Sequence, residues 1–286
     1  MSPTSSDYEV QIQPTHGWRF LDWRELFACR DLLRLLVWRD FVTRYKQTIL
    51  GPLWHVFQPL LTTVVFTVVF GHLAKLPTDR LPPTLFYLCG LLAWNYFAQT
   101  FNSTSATLVA NAGLFGKIYF PRLIVPLSAV ISNCISFFIQ LVAFFAVLVI
   151  YRQSHPEETC GPRWEAVAFL PLVLLQLGAF SLGVGLWLAA LTSKFRDFSV
   201  LSGLLIQLWM YVTPIILPLK EVPPQWHVYV AANPVTMPVE CFRHLLLGTG
   251  WINVSLLVVS IVATLLALVT GILVFQRVER NFVDVV

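Results

Sequence analysis

The sequence predicts an all-α, polytopic membrane protein with six transmembrane helices, an N-terminal interfacial helix, and short outer-side helices between spans five and six. Three observations carry this. First, 57% of the 286 residues are hydrophobic and only 12% are charged, about half the roughly 25% typical of a soluble domain. Second, Lys, Arg, Asp and Glu are absent from six long stretches: 47–74, 81–116, 123–151, 166–193, 198–219 and 244–276. Each exceeds the roughly 20 residues that cross about 30 Å of hydrocarbon as a helix, and none has the short alternating character of a barrel strand. Third, the cations are unevenly placed. With a cytoplasmic N-terminus, the inner segments hold thirteen of the 19 Lys and Arg and the outer segments six. Both termini are therefore expected in the cytoplasm.

These properties exclude a disordered chain, a nucleic-acid-binding module and an ordinary cytosolic enzyme. The net charge of +4 is too small to call for a polyanionic partner. The five cysteines show no CxxC spacing, and Cys160 and Cys241 would share the outer side.

Residues 1–17 are polar and lack a basic region followed by an apolar core, so they read as a flexible tail and not as a cleaved signal. Residues 18–46 mix Trp and Leu with charges. Asp22 and Glu25 resemble a capping box that starts a helix, and such a helix before a span lies in the membrane interface. The rest, 47–286, reads as one six-span domain. Between the last two spans, residues 220–250 are heavily punctuated. Pro214 ends or kinks the fifth span, while Asn233 as N-cap, Pro234 at the first helical position and Gly248 as C-terminal cap delimit a short helix.

Catalytic chemistry is missing. No phosphate-cradling glycine–lysine loop is present, and the six histidines form no close ligand set. No metal site and no catalytic residue is expected. No ionisable residue interrupts a span centre, where ion-coupled carriers usually keep one. Uphill transport by this chain would draw its energy from another subunit.

Three features can carry function. In the second span Asn95, Gln99 and Asn102 fall on one helical face, continued by Ala106. Such a stripe meets a hydroxyl-rich substrate or makes interhelical hydrogen bonds. Aromatic residues, Phe57, Trp209 and Tyr211 among them, offer faces on which sugar rings stack, or form the interfacial belt of a membrane protein. Finally, the inner loop 110–122 (ANAGLFGKIYFPR) sets Leu114, Phe115, Ile118, Tyr119 and Phe120 beside Lys117 and Arg122. An apolar set next to cytoplasm suggests a docking surface for a partner, or residues that sink into the membrane interface.

The wording Trp38-Arg39-Asp40, Arg44-Tyr45-Lys46-Gln47-Thr48, Leu50-Gly51-Pro52-Leu53-Trp54 and Gln58-Pro59-Leu60 resembles the N-terminal signature of polysaccharide-exporting ABC transporter permeases, such as the O-antigen and wall-teichoic-acid exporters. Asn111-Ala112, Lys117, Tyr119-Phe120-Pro121-Arg122 and Pro126-Leu127 are similar to the loop between their second and third spans. Phe195-Arg196-Asp197, Thr213-Pro214, Asn233-Pro234, Arg243 to Gly248 and Glu279-Arg280 through Asp284 follow in the family order. The likeness covers about residues 20–286.

The resemblance implies a homodimer of six-span subunits in the bacterial inner membrane, working with two copies of an ATPase subunit that holds ATP and Mg. It implies that 110–122 contains the coupling helix, with Leu114, Phe115, Lys117, Tyr119, Phe120 and Arg122 toward the ATPase. Residues 220–250 then form outer gate helices carrying Asn233, Pro234, Glu240 and Arg243. The translocation path takes Phe57, Asn95, Gln99, Asn102, Trp209 and Tyr211 from the first, second and fifth spans. Arg39, Arg44 and Lys46 either meet the diphosphate of a lipid-linked polysaccharide or serve as positive-inside anchors. The wording RYKQT favours an O-antigen-like substrate over capsule. A permease for teichoic acid, capsule, drugs or small lipids, and a membrane scaffold without transport, are the other readings.

Overall fold

The computed structural model describes residues 23–46, 48–115, 120–156, 161–195 and 197–282, and these form helices and joining turns with no strand among them. The tail 1–17, Asp22 of the capping box, Lys117, Tyr119 and Cys160 lie outside the described residues. The N-terminal arm forms two helices, α1 (Trp23–Ala28) and α2 (Arg30–Tyr45), separated at Cys29. α3 (Trp54–Phe66) runs on into a π-helical turn, Thr67–Leu73. Then come α4 (Pro83–Ser105), the short α5 (Thr107–Ala110) and α6 (Ala112–Phe115), and α7 (Ile124–Ser154). The chain continues through α8 (Trp164–Val167), α9 (Leu170–Lys194), α10 (Asp197–Val212), α11 (Pro224–Ala232), α12 (Thr236–Leu247) and α13 (Val254–Phe282).

Among the described residues, four helical stretches are long and apolar enough to cross a membrane: Gly51–Leu73, Ile124–Ser154, Leu170–Lys194 and Val254–Glu279. The second and fifth of the six expected spans fall outside that set for different reasons. α4 has 23 residues, but its second half, NYFAQTFNSTS, is rich in polar side chains. α10 has 16 residues, about 24 Å of helix, and stops at Val212, two residues before Pro214.

α4 is the hub of the bundle. It packs against α9, α7, α3, α12 and α10, and every residue from Leu85 to Trp94 is buried. A helix enclosed in this way meets protein and little lipid, so its composition is set by its neighbours. α9 and α13 make the closest approach. A Cβ added at Gly183 would stand 2.5 Å from the Ala267 carbonyl carbon, backbone that cannot swing away. We expect Gly183→Leu to block accumulation of the protein in the membrane, at a cost of about 3 kcal/mol or more. Gly203→Leu, with nothing within 4 Å of the new Cβ, should accumulate normally, and immunoblotting of membranes reads both.

A second, smaller core joins the N-terminal arm to the spans. It gathers Leu36 of α2, Leu108, Phe115, Phe120, Ile124, Leu186 and Phe275. Its position fixes the end of the bundle that carries the N-terminal arm, where the polar contacts described next converge.

Candidate functional site

The stripe on α4 survives as the least covered part of a buried helix. Asn95 and Gln99 are half-buried and Asn102 is exposed, while Tyr96, Phe97, Thr100 and Phe101 around them are buried. Helices α3 and α10 both pack on α4 and keep open faces of their own. Phe57 on α3 is 50% exposed and Tyr211 on α10 is 61% exposed. The Trp209 ring packs edge-on against Phe97 and Phe180, at 5.4 and 5.8 Å between centroids, and its Nε1–H donates to Asn233 Oδ1 at 3.0 Å. Half-buried, it holds α10 to the 220–250 segment as well as edging the α4 face.

At the end of the bundle that carries the N-terminal arm, Arg39 and Arg44 of α2 are engaged within the chain. Arg39 pairs with Asp40 at 2.7 Å and donates to Asn111 Oδ1 at 3.3 Å. Ser128 Oγ of α7 donates to the other Asp40 oxygen at 3.4 Å. Arg44 Nη1 donates to Asn133 Oδ1 at 2.7 Å, and Asn133 Nδ2 donates to Ser103 Oγ of α4 at 3.4 Å. Close by on α7, Ser136 Oγ meets His55 Nε2 of α3 at 3.0 Å. Lys46 is exposed.

The inner loop corrects one expectation. Phe115 and Phe120 are buried against each other, 5.9 Å between centroids, and so do not form an exposed apolar surface. Leu114 is half-buried against the same core. The Arg122 guanidinium lies 5.4 Å from the Phe115 ring, donates to the Glu279 carbonyl at 2.6 Å and pairs with the Glu279 carboxylate at 3.7 Å. The ends of the loop are thus fastened to the bundle and to α13.

At the other end, Arg243 and Glu240 of α12 form an ion pair at 2.8 Å, and both are almost completely buried. Arg243 Nη2 also donates to the Ile215 carbonyl at 3.0 Å, and its guanidinium carbon stands 3.8 Å over the Phe86 ring of α4. The other Glu240 oxygen accepts from Trp251 N–H at 2.9 Å. Asn233 caps the turn before α12, with Oδ1 accepting from Val235 N–H at 3.1 Å and Nδ2 donating to Thr213 Oγ1 at 3.0 Å. The regular helix begins at Thr236, and Gly248 ends it in the left-handed conformation at φ +75°. The Pro234 carbonyl accepts from Ser260 Oγ of α13 at 2.6 Å.

A profile of the ABC-2 type transporter matches residues 31–247, which takes in the α2 network, the α4 stripe and the buried pair. The chain belongs to the ABC-2 type transporter family. Among its relatives is an O-antigen export system permease protein RfbA of Klebsiella pneumoniae, 26% identical over 255 residues, 89% of this chain and 95% of the relative. The protein of the same description from Myxococcus xanthus is 31% identical over 70% of this chain and 73% of its own. The polysialic acid transport protein KpsM of Escherichia coli is 26% identical over 85% and 91%.

In this ABC-2 transporter, sequence reasoning missed Asp40, His55, Ser103 and Asn133, because their partners lie 30 to 89 residues away. Ser128 and Ser136, two turns apart on α7, are the α7 hydroxyls that meet Asp40 and His55. Arg163 and His244 were also missed. Arg163 Nη1 donates to His244 Nε2 at 3.1 Å, and Nη2 donates to the Gly248 carbonyl at 3.4 Å. Burial, and then the Arg163 guanidinium, lowers the His244 pKa below its ordinary 6.5. The fold therefore prefers the neutral ring. The contribution is full above the unfolded value and is lost as pH falls below it. The melting temperature should drop between about pH 7.5 and about pH 5.5, and less so in His244→Gln; light-scattering thermal scans check this.

Proposed function

We propose that this chain is the membrane subunit of an ATP-driven exporter that moves a lipid-linked, O-antigen-like polysaccharide from the cytoplasmic side across the inner membrane. The observation that carries the reading is the likeness to O-antigen export permeases over nearly the whole of both chains. The two termini lie in the cytoplasm and six segments cross the bilayer, α4 and α10 among them. α4 crosses inside the bundle, and α10 is completed by the chain beyond Pro214. Two copies assemble with two copies of an ATPase subunit, which binds ATP and Mg; hydrolysis belongs to that subunit.

The stripe of Asn95, Gln99 and Asn102 offers amides to the hydroxyls of a passing glycan, and Phe57 and Tyr211 offer ring faces. Lys117 and Tyr119 meet the ATPase, while Phe115, Phe120 and Arg122 anchor that loop so that a push on it reaches the bundle. Arg39 and Lys46, with the Arg44 donors that Asn133 does not use, face the lipid diphosphate. Asn233, Pro234, Glu240 and Arg243 hold the outer gate. A bacterium lacking the chain should accumulate lipid-linked polysaccharide in its cytoplasmic leaflet and lose it from the surface, and the cloned gene should restore export. Unchanged surface polysaccharide would refute the reading, and loss of a teichoic acid or capsule instead would reassign the substrate.

A further inference from the structure

Helices α2 and α7 are fastened by polar pairs and stand apart along an apolar seam. The Asp40–Ser128 and Arg44–Asn133 contacts, at 3.4 and 2.7 Å, hold the second half of α2 against α7. Beside them Leu33, Val37 and Phe41, a row at four-residue spacing on α2, face Ile131 and Ile135 of α7 across a cleft of 320 Å³ with Trp38 at its rim. The cleft opens at the surface, where Ile131, Ile135 and Trp38 are exposed. Its single charged lining residue is Arg34. Arg30 follows one turn earlier, and Asp31 stands 3.9 Å from each, so two cations face one carboxylate at the mouth. All three side chains are exposed.

Depth and size select the occupant. Ile131 and Ile135 lie 7 and 11 residues into α7, about 10 and 16 Å from its start, which spans roughly one leaflet of hydrocarbon. A second helix is far too large for the cleft. A single linear acyl chain fits along the Leu33–Val37–Phe41 row with its head at the arginines. We infer that the cleft is a binding site for one anionic phospholipid of the inner leaflet, its chain between α2 and α7 and its phosphate at Arg34 and Arg30. This rests on the cytoplasmic placement of α2 given above.

Native mass spectrometry of the full chain in mild detergent, mixed with phosphatidylglycerol, phosphatidylethanolamine or a polyprenyl diphosphate, tests it. Retention of one phosphatidylglycerol per chain, at least tenfold over phosphatidylethanolamine, is expected. Arg34→Glu, a surface change, should cut that retention at least threefold, and Ile135→Trp, which fills the cleft, should abolish it. Equal retention of the two phospholipids, or retention that neither variant alters, overturns the proposal. Displacement by equimolar polyprenyl diphosphate also overturns it and gives the cleft to the transport substrate. Export is measured separately, so an empty cleft in an exporting protein refutes the lipid site alone.

Discussion

Arg243→Ala is expected to destabilise the protein by about 3–5 kcal/mol, the cost of stranding one member of a buried ion pair. Glu240, at 2% exposure, would be left with only the Trp251 N–H. The damage would not stay on α12. Arg243 ties that helix to Ile215, just past Pro214, and to Phe86 in the first turn of α4. Arg243→Lys should recover little, because an ammonium cannot serve Glu240, the Ile215 carbonyl and a ring face together as a planar guanidinium does. Replacing both charges, with Arg243→Met and Glu240→Gln, should cost much less than Arg243→Ala alone, since no charge is then left buried. Thermal unfolding of the detergent-purified variants reads all three. Wild-type stability in Arg243→Ala would contradict the buried pairing.

The same pair shows where the sequence can be read and where it cannot. Charge-free runs announced the long helices, because a bilayer penalises charge at every depth of a span. Turn chemistry announced the outer segment only in part: Gly248 ends α12 as a C-terminal glycine does, but the helix starts at Thr236, and Asn233, expected as its N-cap, follows α11 and holds the turn between the two helices. Glu240 and Arg243 were visible as residues, but their burial depends on Phe86 and Ile215, which approach only in the folded bundle. Phe115 and Phe120 looked exposed for a related reason. Nothing within thirteen residues of loop reveals a core built with Leu36 and Phe275, or an arginine fastened to Glu279 at the far end of the chain. Trp209 was legible as part of an aromatic wall, but the bond from its N–H to Asn233 was not.

Asn133→Leu is expected to separate ATP hydrolysis from export. Asn133 is 1% exposed and is the one side chain on α7 that holds both α2, through Arg44, and α4, through Ser103. α2 is also held at Arg39 by Asn111, whose carbonyl accepts from Leu114 and Phe115 N–H at the head of the inner loop. On the proposed function, these contacts would carry a displacement of that loop to α4 at Ser103 by way of α2 and this amide. Leucine has a similar volume and no hydrogen-bonding group. The variant should lose about 1–3 kcal/mol for the unpaired Arg44 donor yet still reach the membrane and co-purify with the ATPase. Export should fall at least tenfold while ATP hydrolysis stays within twofold of wild type. Asn133→Asp keeps an acceptor for the Arg44 donor and should hold stability and export near wild type. Wild-type export in Asn133→Leu itself would mean that Asn133 serves packing alone. Equal loss of ATPase binding and export would place the defect in assembly, leaving the connection through Asn133 without support.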